Sequence, residues 1–237
     1  MTETELRQKV VSTALAWLGT REYSAKHQEM LDIYNAQRPL PRGTRMLASW
    51  PWCAAFVSTV SLQCGLRDIM PTECGCPGMV RLYQELGRWV EDDAYTPSPG
   101  DVIFYDWQDS GVGDNAGQPD HVGIVTACDG QTMTIIEGNC DNAVKTRSLA
   151  VNARFIRGYG CPDYASRADG AEPTPTPAPT PTPEPEKPAE ATVDPFVTKT
   201  AREVNAGKWG NGQARKDALA AWFTKAVQDE VNRILGG

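Results

Sequence analysis

The chain has 237 residues, of which 41% are hydrophobic and 22% are charged, a composition typical of a soluble globular protein. Its 23 lysines and arginines against 30 aspartates and glutamates give a net charge of −7. The sequence shows no clustered basic face, so we expect no nucleic-acid partner. No apolar run approaches the length that crosses a bilayer, so we expect no membrane partner either.

The first five residues, Met1 to Glu5, are acidic and lead into an amphipathic segment, unlike a secretory signal. We therefore expect synthesis in the cytoplasm without an encoded export route. Seven cysteines cannot all pair with one another, and a cytoplasmic origin predicts reduced thiols. Their spacing is not that of paired zinc ligands, and we expect no bound metal and no cofactor.

Proline occupies every second position from Pro173 to Pro185, which excludes both helix and sheet. Such a segment favours an extended polyproline II spacer. An amphipathic segment follows it, so a mere disordered tail does not explain the pattern. We predict a first domain over residues 1–162, a linker over 163–192 and a second domain over 193–237.

Helical spacing dominates the first part of the first domain. Apolar residues from Leu6 to Leu18 predict a first helix that stops at Gly19, and residues 26–35 read as a second. A third helix is predicted from Pro51 to Cys64 and a fourth over residues 77–87.

After Pro99 the pattern changes to short apolar strands. The predicted strands are 102–105, 122–126, 132–136, 143–148 and 154–159, with Asp129-Gly130 as a hairpin turn. Helices first and antiparallel strands afterwards indicate an α+β fold.

Cys53 lies where a loop is predicted to become a helix, directly after Trp52. Free backbone N–H groups at a helix N-terminus stabilise a thiolate and can receive the oxyanion of an attacked carbonyl. A buried structural cysteine would give a similar pattern. Because the chain has two histidines, and His27 reads as solvent-exposed on a polar helix, His121 is the candidate base.

Glu137 and Asn139 end the strand after His121 and share one strand face. His121 shares that face only if its pairing partner has an odd number, such as 137 or 139. A two-residue turn that pairs Cys128 with Gln131 would put His121 on the wrong face, so we predict a three-residue connection or a bulge. His121 would then take the thiol proton, with Glu137 or Asn139 fixing its tautomer.

Four motifs occur in the order of one family: residues 52–57, 99–103, 120–125 and 136–139. Together they resemble the CHAP (cysteine, histidine-dependent amidohydrolase/peptidase) family. The resemblance implies a papain-like α+β fold and hydrolysis of peptidoglycan amide bonds. It assigns catalytic roles to Cys53, His121, Glu137 and Asn139. Trp52, beside the thiol, is a candidate substrate contact. Some CHAP domains bind calcium through an acidic loop before the cysteine, but residues 39–45 are basic here, so we expect no calcium dependence.

Residues 201–216 and 227–232 resemble the CW-seven type of cell-wall-binding repeat, a three-helix module that recognises muropeptide. The chain departs from that pattern at residues 221–225. The candidate ligand contacts are Lys208, Trp209, Asn211 and Arg215, although Trp209 fits a core anchor equally well.

Taken together, the chain resembles a bacteriophage endolysin, an N-terminal cysteine hydrolase tethered to a wall-binding module. The resemblance implies peptidoglycan as the partner and accumulation in the host cytoplasm until lysis. The bond cleaved is either the N-acetylmuramoyl-L-alanine amide or an endopeptidase site. Two alternatives remain: a wall-binding protein with an inactive cysteine site, and a cysteine protease that acts on proteins.

Overall fold

The computed structural model describes residues 1–92, 95–107 and 117–169. The chain divides into two units, Met1–Thr174 and Pro175–Gly237, and all described residues belong to the first. The proline-rich segment and the predicted three-helix module at 193–237 lie outside the described residues. The boundaries proposed at 162 and 192 therefore stay predictions.

The four predicted helices of the first unit are confirmed, with shifted ends. They are α1 (Glu3–Leu15), α2 (Ala25–Ala36), α3 (Cys53–Cys64) and α4 (Cys76–Glu85). Thr2 and Glu5 form a capping box at the start of α1, and the Ser24 side chain caps α2. Gly65 closes α3 with a left-handed φ of 71°, as the sequence predicts. No helix in the described ranges combines the length and apolar character needed to cross a bilayer.

The strands form one antiparallel sheet in the order β1-β6-β2-β3-β4-β5. They are β1 (Trp89–Val90), β2 (Val102–Tyr105), β3 (His121–Cys128), β4 (Thr132–Cys140), β5 (Ala143–Ala150) and β6 (Ile156–Gly160). The sequence predicts all of them except β1, because a strand of two residues is too short to show an alternation of polar and apolar side chains. The α+β class with helices packed on an antiparallel sheet is confirmed.

Helix α3 lies at the centre of the domain and is buried on nearly all sides. Its polar side chains bond to backbone carbonyls of the surrounding segments: Ser58 Oγ donates to Glu73 O at 2.8 Å and Thr59 Oγ1 to Met30 O at 3.1 Å. A buried hydroxyl left without a partner would cost about 1–3 kcal/mol, so these bonds also fix the position of the helix.

Apolar residues pack on both faces of the sheet. Val102 and Phe104 contact the helical layer, whereas Ile103 and Tyr105 join a smaller core on the opposite face with Val125. The alternation along β2 shows why the strand reads as a continuous apolar run, since both of its faces are covered.

His27 corrects one prediction, because the histidine expected in solvent is fully buried. Its Nδ1 accepts a hydrogen bond from the Tyr23 backbone N–H at 3.1 Å, and its ring lies 4.7 Å from that of Trp52. Burial lowers the pKa of His27. Residues 27, 30, 31 and 34 follow a helical stripe, and this spacing is the signal that places His27 on the buried face of α2.

Gly138 provides a test of how closely α3 packs on the sheet. A Cβ at this position would lie 2.4 Å from Phe56 Cβ and 2.7 Å from Phe56 Cγ. We expect Gly138→Ala to destabilise the domain by about 1–3 kcal/mol, because β4 and α3 cannot move apart to admit the methyl group without loss of packing. The measurement is the free energy of unfolding in urea, followed by tryptophan fluorescence.

Thr132→Ala, at an exposed position of the same strand, serves as the matched control and should change stability by less than about 0.5 kcal/mol. An unchanged urea midpoint for Gly138→Ala would contradict the tight packing of α3 on β4.

Candidate active site

Cys53 is the first residue of α3, and Trp52 is the N-cap residue. Pro51, expected in the first helical turn, instead precedes the cap. The Phe56 N–H makes the first bond of the helix, to Trp52 O, so the N–H groups of Cys53, Ala54 and Ala55 have no partner within it. The Ala54 N–H is directed at the Cys53 sulfur and favours its thiolate.

The pairing of β3 with β4 brings His121 and Glu137 to one face. Gly123 opposes Glu137, whereas Cys128 opposes Met133, so the pairing shifts by one residue between Val125 and Ala127. This irregularity is a bulge, one of the two alternatives that the sequence predicts for the hairpin. Without it, the two-residue turn would direct His121 to the other face of the sheet.

The thiol, the imidazole and the carboxylate lie next to one another in that order. His121 Nε2 lies 3.3 Å from Glu137 Oε2, and the His121 ring lies close enough to Cys53 for each group to shift the pKa of the other. Because Nε2 is engaged by the carboxylate, Nδ1 is the nitrogen left for the thiol. Cys53 is 5% exposed, His121 9% and Glu137 0%.

Electrostatics in this chain favour a thiolate and an imidazolium. A hydrogen bond from Cys76 and the interaction with His121 hold the pKa of Cys53 well below its ordinary value, although burial opposes them. Burial alone would lower the pKa of His121, but its bonds to Cys53 and Glu137 outweigh burial and raise that pKa to about 9.

Arg147, on β5, is a site residue that sequence reasoning missed. Its Nε lies 2.8 Å from Glu137 Oε1 and its Nη2 lies 3.0 Å from Glu137 Oε2. Burial opposes the charge on Glu137, yet His121 and Arg147 together lower its pKa to about 2. No sequence motif indicates Arg147, because its contact with Glu137 depends on the pairing of β4 with β5.

Aromatic rings cover this group of charges on one side. The Tyr105 ring stacks on His121 with centroids 5.7 Å apart, and Trp107 stacks on Tyr105 at 4.8 Å. The Arg147 guanidinium lies 4.8 Å above the Trp107 ring. The stack limits the rotation of both cationic side chains and keeps water from one side of them.

A second thiol lies beside the first. Cys76 is the first residue of α4, and its sulfur is 3.7 Å from that of Cys53. Its hydrogen bond to Cys53 and its burial raise the pKa of Cys76 well above the ordinary value. Cys76 therefore keeps its proton, and its S–H group donates a hydrogen bond to the Cys53 thiolate. The sequence places Cys76 in a Cys-Gly-Cys run without indicating this contact.

Both thiols line a cleft of about 410 Å³. Trp50 stands at its wall with 42% of its surface exposed. On the same wall Arg42 Nη2 bonds to the buried Glu73 at 2.8 Å. The remaining lining is given by Thr44, Met46, Pro51, Cys74, Gly75, Pro77, Pro119 and Asp120. A cleft that is open to solvent and presents a thiol is a candidate substrate-binding site.

Two candidates from the sequence are not brought to the cleft in the expected way. Asn139 is half-buried with a left-handed φ of 57°, and within the described residues it makes no side-chain hydrogen bond to His121. Trp52, expected as a substrate contact, is fully buried against His27 and is a core residue. Its neighbour Trp50 is exposed and lines the cleft.

The candidate contacts Lys208, Trp209, Asn211 and Arg215 lie outside the described residues. Within the described ranges, no three histidine, cysteine or acidic side chains come together as metal ligands.

Comparison with known families covers both parts of the chain. Residues 45–139 match the CHAP domain, and this stretch contains Cys53, His121 and Glu137. Residues 199–235 match the CW_7 repeat. No curated protein and no solved structure matches the chain, and the likeness to papain stays a prediction. The chain therefore carries a CHAP domain, which indicates a cysteine- and histidine-dependent amidohydrolase or peptidase, and a CW_7 repeat, which indicates cell-wall binding.

Proposed function

We propose that this protein is a peptidoglycan hydrolase that cleaves an amide bond of the bacterial cell wall with Cys53 as nucleophile. The observation that carries the proposal is the alignment of Cys53, His121 and Glu137 beside a cleft. His121 Nε2 lies 3.3 Å from the Glu137 carboxylate, and His121 and Cys53 shift each other's pKa towards an ion pair. The CHAP match supports amide hydrolysis, and the CW_7 match supports the wall as the place where it happens.

In the first half of the reaction, the Cys53 thiolate attacks the carbonyl carbon of the substrate amide. Negative charge then develops on the carbonyl oxygen. The Cys53 backbone N–H, which has no partner within α3, is the donor we assign to that oxygen. The His121 imidazolium gives its proton to the leaving nitrogen, and the amine departs from a thioester.

In the second half, neutral His121 removes a proton from a water molecule that attacks the thioester. The product leaves as a carboxylic acid, which gives its proton to solvent, and the thiolate is restored with its imidazolium partner. Glu137 holds Nε2 throughout, so that Nδ1 stays directed at the sulfur and then at the water.

Arg147 is assigned a positioning role in this cycle. Its two bonds to Glu137 fix the carboxylate, and its charge keeps that carboxylate ionised despite complete burial. A neutral Glu137 would stabilise the imidazolium less, and the thiolate would lose its partner.

The C-terminal repeat is assigned the attachment of the enzyme to its insoluble substrate. A tethered domain meets the wall at a raised effective concentration, which suits hydrolysis of a solid polymer. We propose the biological role of an endolysin, which remains in the host cytoplasm until lysis and then acts on the wall. Both the N-acetylmuramoyl-L-alanine amide and stem or cross-bridge peptide bonds suit the chemistry.

Substitution of the nucleophile tests the reaction. We expect Cys53→Ala to lower the rate of wall clearing by at least about 1,000-fold, because no other group supplies the covalent step. The Cys53→Ala variant should still attach to purified walls. Cys64→Ser, on the same helix, is the matched control. Mass spectrometry of the released fragments identifies the cleaved amide from the new amino termini or freed glycan.

Undiminished clearing by Cys53→Ala would contradict the proposed nucleophile. Binding without clearing by the unsubstituted protein would favour a wall-binding protein with an inactive cysteine site. Cleavage of an unfolded protein with intact walls would favour a protease that acts on proteins.

Removal of residues 193–237 tests the role of the repeat. We expect attachment to walls to weaken by at least about tenfold, while cleavage of soluble muropeptides changes by less than about threefold, because tethering acts only on the insoluble substrate. Co-sedimentation with walls and chromatography of muropeptides are the two measurements. Unchanged co-sedimentation would show that the repeat does not anchor the enzyme.

Glu137 gives a pH prediction. The raised pKa of His121 means that the imidazolium is fully present below its ordinary value of 6.5 and is lost as pH rises through about 9. Muropeptide hydrolysis should therefore fall at high pH with a midpoint near about 9. In Glu137→Gln the imidazolium loses its partner and remains close to Arg147, so the midpoint should move to lower pH.

The control is Glu85→Gln, because Glu85 is an exposed carboxylate on α4. It should leave the midpoint in place. An alkaline midpoint that is the same in Glu137→Gln and in the unsubstituted protein would contradict the role of Glu137, whatever the change in maximal rate.

A further inference from the structure

Cys76 is a thiol that forms no covalent bond and transfers no proton in the proposed hydrolysis. The proton of Cys53 passes to His121, so amide cleavage needs only one thiol. Yet the sulfur of Cys76 lies 3.7 Å from that of Cys53, and each side chain is 5% exposed. All seven cysteines lie in the described residues, and this is the one pair whose sulfurs are in hydrogen-bond contact.

The geometry points to a modification site: we propose that peroxides oxidise Cys53 and Cys76 to a reversible disulfide that stops hydrolysis and protects the nucleophile. The expected loss of activity rests on the proposed function, in which Cys53 is the nucleophile. Formation of the disulfide between Cys53 and Cys76 does not depend on that function.

The chemistry balances with hydrogen peroxide as the oxidant. The Cys53 thiolate attacks one peroxide oxygen, and the O–O bond breaks to give Cys53 sulfenic acid and hydroxide. The Cys76 sulfur then attacks the Cys53 sulfur, the S–O bond breaks, and the oxygen leaves with the thiol proton as water. In total, two thiols and one peroxide give one disulfide and two waters.

The surroundings of Cys53 favour the first step over the same reaction at other cysteines. A thiolate at a helix N-terminus beside an imidazolium is the reactive form towards peroxide. Both sulfurs line the cleft, so a molecule as small as hydrogen peroxide reaches them from solvent.

The second step requires a small movement. A disulfide has sulfurs about 2.05 Å apart, so the two atoms must approach by roughly 1.7 Å from their contact distance. Rotation about χ1 moves each sulfur, and both residues begin a helix, where no preceding turn blocks the side chain. A resolving thiol already in contact captures the sulfenic acid before a second peroxide oxidises it further.

Cys74 does not compete for this role. It lies two residues before Cys76, but its sulfur accepts a hydrogen bond from Arg42 Nη2 at 3.1 Å. Cys64 is at the far end of α3 and bonds to Thr13 at 3.4 Å. These two cysteines therefore provide matched controls of the same residue type.

The experiment treats the full-length protein with hydrogen peroxide and then with dithiothreitol. We expect one cross-link between the tryptic peptides 46–67 and 68–81, with a loss of about 2 Da, and at least a tenfold fall in wall clearing. Dithiothreitol should restore both the mass and the activity. Because each peptide holds two cysteines, Cys64→Ser and Cys74→Ser must keep the cross-link, and Cys76→Ser must lose it.

Each variant is compared with its own untreated sample. Cys76→Ser is chosen because the serine hydroxyl keeps a hydrogen-bond donor beside Cys53. In Cys76→Ser we expect oxidation of Cys53 by about 32 or 48 Da, which dithiothreitol does not reverse. A missing cross-link in the unsubstituted protein, or a cross-link that persists in Cys76→Ser, would overturn the proposal. One outcome separates the two proposals: the cross-link forms in the unsubstituted protein, while untreated Cys53→Ala clears walls as fast as the untreated, unsubstituted protein. That result would contradict the proposed function and leave the proposed disulfide in place.

Discussion

A fully buried carboxylate is the constraint on which the candidate site depends. Glu137 has no exposed surface, and an ionised side chain in such a position is stable only when it is paired and hydrogen-bonded. Arg147 supplies one cation and His121 the other. With the Cys53 thiolate, the four charges alternate in sign and sum to zero. The site therefore holds an ion pair at the thiol without burying net charge.

The central position of α3 makes this arrangement rigid. Its apolar surface packs on the sheet, with Phe56 against Gly138, and its hydroxyl groups bond to neighbouring backbone carbonyls. The N-terminus of the helix, where Cys53 lies, is thereby fixed relative to β3 and β4. Proton transfer between a sulfur and an imidazole needs this precision, because a small displacement moves the two groups out of reach of each other.

The same surroundings explain both the reactivity and the vulnerability of the nucleophile. Free N–H groups at the helix start and a charged imidazole produce a thiolate, and a thiolate reacts with peroxides as well as with amides. The thiol of Cys76 stabilises that thiolate by donating a hydrogen bond and stands at contact distance from it. One contact thus connects the proposed hydrolysis with the proposed protection against oxidation.

Within the described residues, the sequence alone determined the α+β class, four helices, five of the six strands, and a start of α3 within two residues of the candidate nucleophile. These features follow from local periodicity and turn residues, which act over a few positions. It also required either a three-residue connection or a bulge in the hairpin, because the chemistry works only if His121 and Glu137 share a face.

Only the tertiary structure decided which side chains surround that chemistry. Arg147 pairs with Glu137 across two strands, and Cys76 meets Cys53 through the packing of α4, so neither relation has a local signature. The contact of Trp52 with His27 likewise depends on how α2 packs against α3. Contacts between residues distant in sequence follow from the packing of whole elements, which periodicity within one element does not specify.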